Sequence, residues 1–405
     1  MPKKMKLTIG EHTLELSSPD KVVFPQLGIT KLQLVEYYLA VGEGAVRHCA
    51  NRPMVLKRFP KGVGEKEFFQ KRAPKNRPAY VTTATLHYKS GWSAEEACIH
   101  GPEGLAWMVN TGCIDINPHP LRADDMEHPD ELRIDLDPNP GVEWDQIQRV
   151  AMEVKAVLDE HGLVSWPKTS GSRGIHINVR IHRNWTQPEV RAAALALGRE
   201  VENRMPGLAT AAWKKEERHG VFIDYNQNAK DRTVASAFSV RAVHDARVSW
   251  PLTWDEVNEV WPQDYTLLTV PGLFSARGDA HADIDQHPEG LESLLELAAS
   301  QGKRVKRDPL PLLVIAKHTE LEPAMEGLER WKMAHPEAAA LLQPADVLMD
   351  KMRGRYSTWT RIRVNLQHVP VELRPEQGEP DPNVDPTEQV KAWAEGRMKS
   401  ISETT

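Results

Sequence analysis

Cysteine is scarce in this chain, and its placement excludes two scaffolds. The 405 residues contain only Cys49, Cys98 and Cys113, an odd and scattered set with no CxxC pair. Zinc clusters and disulfide frameworks both need closely spaced or paired cysteines. The three thiols therefore read as reduced residues in or near the core. Long apolar runs are also missing: nothing approaches the roughly 20 residues that span a bilayer. The basic start, Met1 to Lys6, is not followed by an apolar stretch of signal-peptide length. The chain reads as intracellular, with no membrane partner. No internal repeat is visible. The Walker pattern GxxxxGK[ST] is absent, so a P-loop ATPase is not indicated.

Positive charge is in deficit overall, with a net charge of −6, which taken alone argues against a nucleic-acid partner. The distribution argues the other way. Residues 1–77 carry 15 Lys and Arg against 7 Asp and Glu, and the acidic excess lies elsewhere, much of it in the C-terminal third. A basic N-terminal part in an acidic protein suits a local phosphate-binding face, although an ordinary solvated surface has the same composition.

Hydrophobic spacing outlines the elements. Thr30 can cap a helix with Leu32, Leu34, Val35, Tyr38 and Leu39 on one face. Residues 53–59 read as a strand and 101–112 as a short helix. Residues 132–136 form a strand with Asp135 and Asp137 near its end, stopped by Pro138. A helix over 142–161 follows, with Ile147, Val150, Val154 and Leu158 aligned. Then come strands at 163–166 and 175–181, a helix at 187–203, and a strand at 221–225 carrying Asp224. This is the alternation of an α/β or α+β core, whose strand ends gather chemistry. After Leu252 the chain reads as helical, for example over 290–301. Residues 351–363, basic and bearing Tyr356 and Trp359, could touch nucleic acid but read rather as a solvated helix or loop. The Pro- and Glu-rich stretch from Val369 reads as extended or disordered.

The sharpest chemical signal is Arg133-Ile134-Asp135-Leu136-Asp137. Residues two apart on a strand share a face. Two adjacent carboxylates repel unless a cation lies between them, and hard oxygen ligands suit Mg²⁺ or Mn²⁺. Two acids on an exposed strand are also common without any metal. Asp224, a lone charge among apolar neighbours, adds a third carboxylate; a bland partner for it would be Arg218 or Arg241. Three carboxylates can hold two ions for an in-line displacement. Between them runs Lys168-Thr169-Ser170-Gly171-Ser172-Arg173-Gly174-Ile175-His176. Its glycines, hydroxyls and cation can cradle a triphosphate, with His176 adjoining. Gln227, Lys230, Arg232 and Arg241 supply further amide and cationic groups. In the basic part, Lys57, Arg58, Phe68, Phe69, Gln70, Lys71 and Arg72 interleave rings with cations, as single-strand binders do. The alternative has at least one of the adjacent Phe68 and Phe69 facing the core.

These motifs, in order over some 240 residues, resemble the polymerase domain of bacterial ligase D and its stand-alone relatives in the archaeo-eukaryotic primase superfamily. The resemblance includes Asp20-Lys21-Val22-Val23-Phe24-Pro25, Gly28-Ile29-Thr30-Lys31, Phe68 to Pro74, Arg122-Ala123-Asp124-Asp125, and Asp224-Tyr225-Asn226-Gln227-Asn228. It implies an α+β fold: a primase-polymerase core of mixed and antiparallel sheets flanked by helices, with a mostly helical and extended C-terminal addition. It implies an N-terminal part (residues 1–130) that binds template and 5′-phosphate, a catalytic core (131–290) and a C-terminal extension (291–405). It implies Asp135, Asp137 and Asp224 as catalytic metal ligands for two Mn²⁺ or Mg²⁺ ions. Ser170, Ser172, Arg173, His176, Gln227 and Arg241 would meet the incoming NTP or dNTP. Lys21 and Lys31 would bind a DNA 5′-phosphate, with Phe68, Phe69 and Lys71 on the template. The implied activity is DNA-dependent nucleotide addition at short gaps or double-strand breaks, with ribonucleotide preference, in a bacterial cytoplasm at the nucleoid. No ligase lysine motif or nuclease segment is present, so a separate ligase and an end-binding repair protein are the expected partners. The family has Lys where Arg173 stands. It has a His at the place of Asn117, a contact that His119 takes over or that is absent. Two other functions use the same residues: a metal-dependent phosphodiesterase, and a non-catalytic module binding 5′-phosphorylated ends.

Overall fold

The structure is a computed structural model that describes residues 3–88, 91–302, 309–353 and 358–386. The chain divides into two compact units. The first takes residues 1–138, 142–211 and 220–303; the second takes 139–141, 212–219 and 304–405.

The first unit is built on a five-stranded sheet in the order Ser165–Thr169, Ile175–Arg180, Glu131–Pro138, Val221–Ile223, Ala209–Thr210. Neighbours are antiparallel except the last pair, which is parallel. The central strand Glu131–Pro138 alternates as its sequence requires. Leu132, Ile134 and Leu136 enter the main core together with Ile147, Val150, Val154 and Leu158 of the helix Trp144–Glu160. Val190, Ala193, Leu197 and Val201 of the helix Gln187–Arg204 join the same core. Each fully buried aliphatic side chain stabilises the fold by about 1.5–3 kcal/mol, so the strand register is strongly specified. Capping boxes begin three helices. Thr30 pairs with Gln33 ahead of Lys31–Ala40, Glu143 with Gln146, and Thr186 with Glu189. Cys49, Cys98 and Cys113 are all buried and free, as expected.

Three boundaries differ from the sequence reading. The strand expected over 53–59 is only Leu56–Arg58, preceded by isolated bridges at Met54; Pro53 has no N–H to extend the ladder. The strand expected over 163–166 lies later, at Ser165–Thr169, and so carries Lys168. The strand expected over 221–225 stops at Ile223. The Asp224 side chain accepts from the Asn226 backbone N–H at 3.0 Å and starts a 3-10 turn, Tyr225–Asn228, the local competition typical of Asp.

The second unit departs most from expectation. Where helices and extended chain were expected, three antiparallel strands run in the order Leu312–His318, Thr358–Asn365, Val347–Arg353. The helix Leu321–Ala334 buries Ala324 and Leu328 in one small core with Ile362 and Val364. The charges of the basic segment 351–363 mask a period of two: Ile362 and Val364 are buried, while Arg361 and Arg363 at the alternate positions pair with Asp350. Tyr356 lies outside the described residues. The stretch from Val369 is extended, not disordered, as far as it is described. It runs beside the strand Leu312–His318, with the Lys317 N–H donating to the Pro382 carbonyl and the Val384 N–H to the Lys317 carbonyl. Among the described residues no helix is long and apolar enough to cross a membrane.

Candidate active site

The antiparallel registers set Lys168 opposite His176 and His176 opposite Asp135. Directly opposed residues share a sheet face. The Asp224 N–H donates to the Asp135 carbonyl at 2.8 Å, which brings Asp224 alongside. Asp137 follows two residues after Asp135, on the same face. One carboxylate oxygen from each of Asp135, Asp137 and Asp224 lies within 4.8 Å of the others. Asp135 is buried, Asp224 half-buried and Asp137 exposed.

The Gln227 amide ties the group together. Its Nε2 donates to Asp135 Oδ2 and to Asp224 Oδ2, each at 3.0 Å. The carbonyl and amide of Asn228 bond the backbone N–H and C=O of Arg133, at 2.9 and 2.7 Å, and so splint the strand that carries Asp135. Burial pushes the Asp135 carboxyl up to about 6, against the lowering pull of Lys168, Gln227 and Arg241. A carboxylate raised by burial gains most from a cation. Asp135 Oδ1, buried with no hydrogen-bond partner among the described residues, is a ligand atom in waiting. An all-oxygen donor set fits a hard divalent ion.

His176 places Nε2 3.3 Å from Asp135 Oδ1 and Nδ1 2.7 Å from Lys168 Nζ. Burial, then the charges of Lys168 and Arg241, push the imidazole well below its ordinary pKa. Burial and Arg241 also lower Lys168, while Asp135 and Glu131 oppose them. In the loop, Ser170 Oγ accepts from the N–H groups of Ser172 and Gly174, at 3.1 and 3.0 Å. Gly171 has φ +65°, and a Cβ there would meet Arg241 Cγ at 2.5 Å. Arg241 and Arg247 donate to the carbonyls of Ser170 and Ser172, both at 2.8 Å. Arg173 is exposed at the loop tip.

Asp115, 1% exposed, escaped the sequence reading. Its Oδ2 lies 3.1 Å from Lys57 Nζ and 4.0 Å from Arg241 Nε. The available signal was a lone acid within Cys113-Ile114-Asp115-Ile116. His119 lies on the buried Glu96. Its Nε2 is 3.0 Å from that carboxylate, which also accepts from the Tyr88 hydroxyl.

Lys21 and Lys31 meet in a second place. With Arg58 they line a pocket of about 240 Å³ that has no acidic residue in its wall. Lys31 donates to the Ser17 carbonyl at 2.8 Å and to the Asn110 carbonyl at 2.9 Å. Burial, then the Lys21 and Arg58 charges, push it down to about 8. Three cations without an acid favour an anion. Phe68 and Phe69 sit on the short strand Phe68–Gln70, and both are exposed, by 43% and 62%. Neither is a core residue, contrary to the usual behaviour of an adjacent pair. Lys71 Nζ lies 3.6 Å from the centre of the Tyr88 ring.

Comparison with known proteins gives a consistent picture. A profile of the LigD primase-polymerase domain matches residues 30–281. The multifunctional non-homologous end joining protein LigD of Mycolicibacterium smegmatis is 31% identical over 301 residues, 74% of this chain and 39% of that protein. The bifunctional LigD of Bacillus subtilis is 28% identical over 279 residues, 68% of this chain and 45% of that protein. The chain thus spans less than half the length of these relatives. The polymerase domain of Mycobacterium tuberculosis ligase D, solved in complex with DNA, superposes with a TM-score of 0.64 at 29% identity, over 68% of this chain and 99% of that one.

Proposed function

Because the chain belongs to the LigD primase-polymerase domain family, we propose that it is a DNA-dependent nucleotidyltransferase of DNA repair. It adds nucleotides to primer ends at short gaps or double-strand breaks. The observation that carries this reading is the meeting of Asp135, Asp137 and Asp224 oxygens within 4.8 Å, beside a loop whose carbonyls are braced by Arg241 and Arg247.

In this reading Asp135, Asp137 and Asp224 would hold two Mn²⁺ or Mg²⁺ ions. The bound metal supplies activation of a primer 3′-hydroxyl and charge neutralisation at the leaving pyrophosphate. The chain's own groups do the rest. Gln227 fixes the mutual orientation of two carboxylates. Ser170, Ser172, Arg173 and Arg241 bind the triphosphate of an incoming NTP or dNTP, and His176 donates to it. Residues 1–130 grip the DNA: Lys21 and Lys31, with Arg58, take a 5′-phosphate, and Phe68, Phe69 and Lys71 take the template. Residues 131–290 carry the chemistry. Ribonucleotides are the preferred substrates, and a ligase with an end-binding repair protein completes the repair.

Primer extension on a gapped, 5′-phosphorylated duplex tests the proposal, comparing Mg²⁺ with Mn²⁺ and NTPs with dNTPs. A labelled primer that lengthens supports it. A primer that shortens points to a phosphodiesterase, and an unchanged primer with retained DNA binding points to an end-binding module.

A further inference from the structure

Three buried polar atoms mark a place outside the acid centre. His119 Nδ1, Gln187 Nε2 and Asp231 Oδ1 have no hydrogen-bond partner among the described residues. His119 is 1% exposed and Gln187 7%. A polar atom buried unpaired is costly, and here the costs fall together, because all three residues line one cavity of about 170 Å³. Leu86, Leu121 and Met126 give it apolar walls. A cavity of about 150 Å³ admits one benzene ring, so this one holds a six-membered ring and little more. Apolar walls with a few convergent polar groups are the make-up of a ligand site.

The cavity shares Met126, Glu127, Gln187 and Lys230 with a groove of about 650 Å³, to which Arg191 is added. Arg191 Nε donates to Asn226 Oδ1 at 2.6 Å. Neither Arg191 nor Lys230 has an ion pair among the described residues. Two such cations against one exposed acid, Glu127, favour an anion in the groove. Asp231 disfavours an anion in the cavity. An amphipathic ligand would therefore enter ring first, with its charge left outside.

We propose that the cavity is a second nucleotide site, which takes one pyrimidine base, with the attached phosphate in the groove at Lys230 and Arg191. The Gln187 amide nitrogen can only donate, and it meets a ring carbonyl. The Asp231 carboxylate oxygen accepts, and it meets a ring or amino N–H. The faces of the ring lie against Leu86, Leu121 and Met126. A purine carries a second fused ring, for which the cavity has no room. The pyrimidine unit comes either as a free nucleotide or as an unpaired residue of a strand, with the same chemistry. The groove borders the acid centre through Asn226, whose N–H donates to Asp224 Oδ1 at 3.0 Å, yet the site uses none of the three acids.

The test uses the full chain in EDTA, without metal, so that it does not depend on polymerisation. Calorimetric titration with dCMP and with dAMP reads the free nucleotide. Fluorescence anisotropy with labelled hairpin duplexes, each ending in one unpaired dC, dA or abasic residue, reads the strand. The dC form is expected to bind about tenfold or more tighter than the dA form in at least one format, the scale of one hydrogen bond to a charged group. Preference for dCMP identifies a free nucleotide as the ligand; preference confined to the hairpins identifies a strand residue. Gln187→Met removes the donor at similar length, and Met126→Trp fills the cavity. Each should abolish the preference while leaving a blunt hairpin bound as by wild type. Equal affinity for dC and dA in both formats overturns the proposal, as does no binding in either, or a preference that survives both variants. If one variant does not fold, the other decides together with the wild-type comparison.

Discussion

The backbone N–H of Asp224 donates to the backbone carbonyl of Asp135 at 2.8 Å. That bond joins two chain segments at the point where their carboxylates converge, and Gln227 then bridges the side chains. Burying the Asp135 carboxyl has a pH signature. Burial raises the Asp135 carboxyl to about 6, above the usual carboxylate range, so the folded protein holds that proton more tightly than the unfolded chain does. Its ionisation therefore opposes folding as pH rises from about 4 to 6. A cation that binds the ionised group reverses this. The increase in Tm produced by Mn²⁺ is predicted to be small at pH 5 and larger at pH 7. Differential scanning fluorimetry checks it, and a pH-independent increase would count against Asp135 as a ligand.

The Lys21, Lys31 and Arg58 pocket makes a second prediction. Lys21→Ala with Lys31→Ala should weaken binding to a 5′-phosphorylated gap at least about tenfold more than to an unphosphorylated one, the scale of charge-assisted hydrogen bonds. Lys31 in the free protein titrates near 8, and a bound phosphate favours its charged form. The preference for the phosphorylated gap should then be full at pH 7 and shrink as pH rises past 8. Fluorescence anisotropy at the two pH values reads it directly. Equal losses on both DNAs remove the specific role.

Gly174 predicts a cost to stability with a local cause. A Cβ there would stand 2.1 Å from the Leu136 carbonyl oxygen, between the two aspartates of the strand Glu131–Pro138. The strand must shift to admit it. Gly174→Ala is predicted to destabilise the protein by about 1–3 kcal/mol and to lower activity together with stability. Urea unfolding of the two proteins measures the first effect. A wild-type midpoint in the Ala variant contradicts the packing described.

Phe68 and Phe69 are exposed by 43% and 62%, so truncating them should leave stability alone. If bases stack on them, Phe69→Ala should weaken binding to a single-stranded template by about 1–3 kcal/mol, the scale of base stacking, with an unchanged Tm. A lowered Tm with unchanged template binding would make Phe69 structural.

Much of this architecture was legible in the sequence because local rules agreed with global burial. The helix after Thr30 announced its own cap. The alternation in Arg133-Ile134-Asp135-Leu136-Asp137 identified both the strand and the face that bears the acids. What stayed hidden was mostly long-range. Asp115 reads as an ordinary acid until folding sets it against Lys57 and Arg241. Arg58 reads as a cation following a strand's phosphates until it appears in the wall that holds Lys21 and Lys31. Lys168 became a buried partner of His176 only once the strand Ser165–Thr169 extended past its expected end. The sheet of the second unit was missed because charge pairing with Asp350 disguised its alternation.

The central claim is that Asp135, Asp137 and Asp224 form the centre of nucleotide addition. Asp137 tests it most directly, since it is exposed and its removal leaves the core untouched. The measurement is extension of a labelled primer on a gapped, 5′-phosphorylated duplex by wild type and by Asp137→Ala, with Mn²⁺ and NTPs. Wild type should lengthen the primer. Asp137→Ala should slow addition by about a thousandfold or more, since a metal centre supplies several kcal/mol of transition-state stabilisation, while binding the DNA with near wild-type affinity. Normal extension by Asp137→Ala would contradict the assignment of the site.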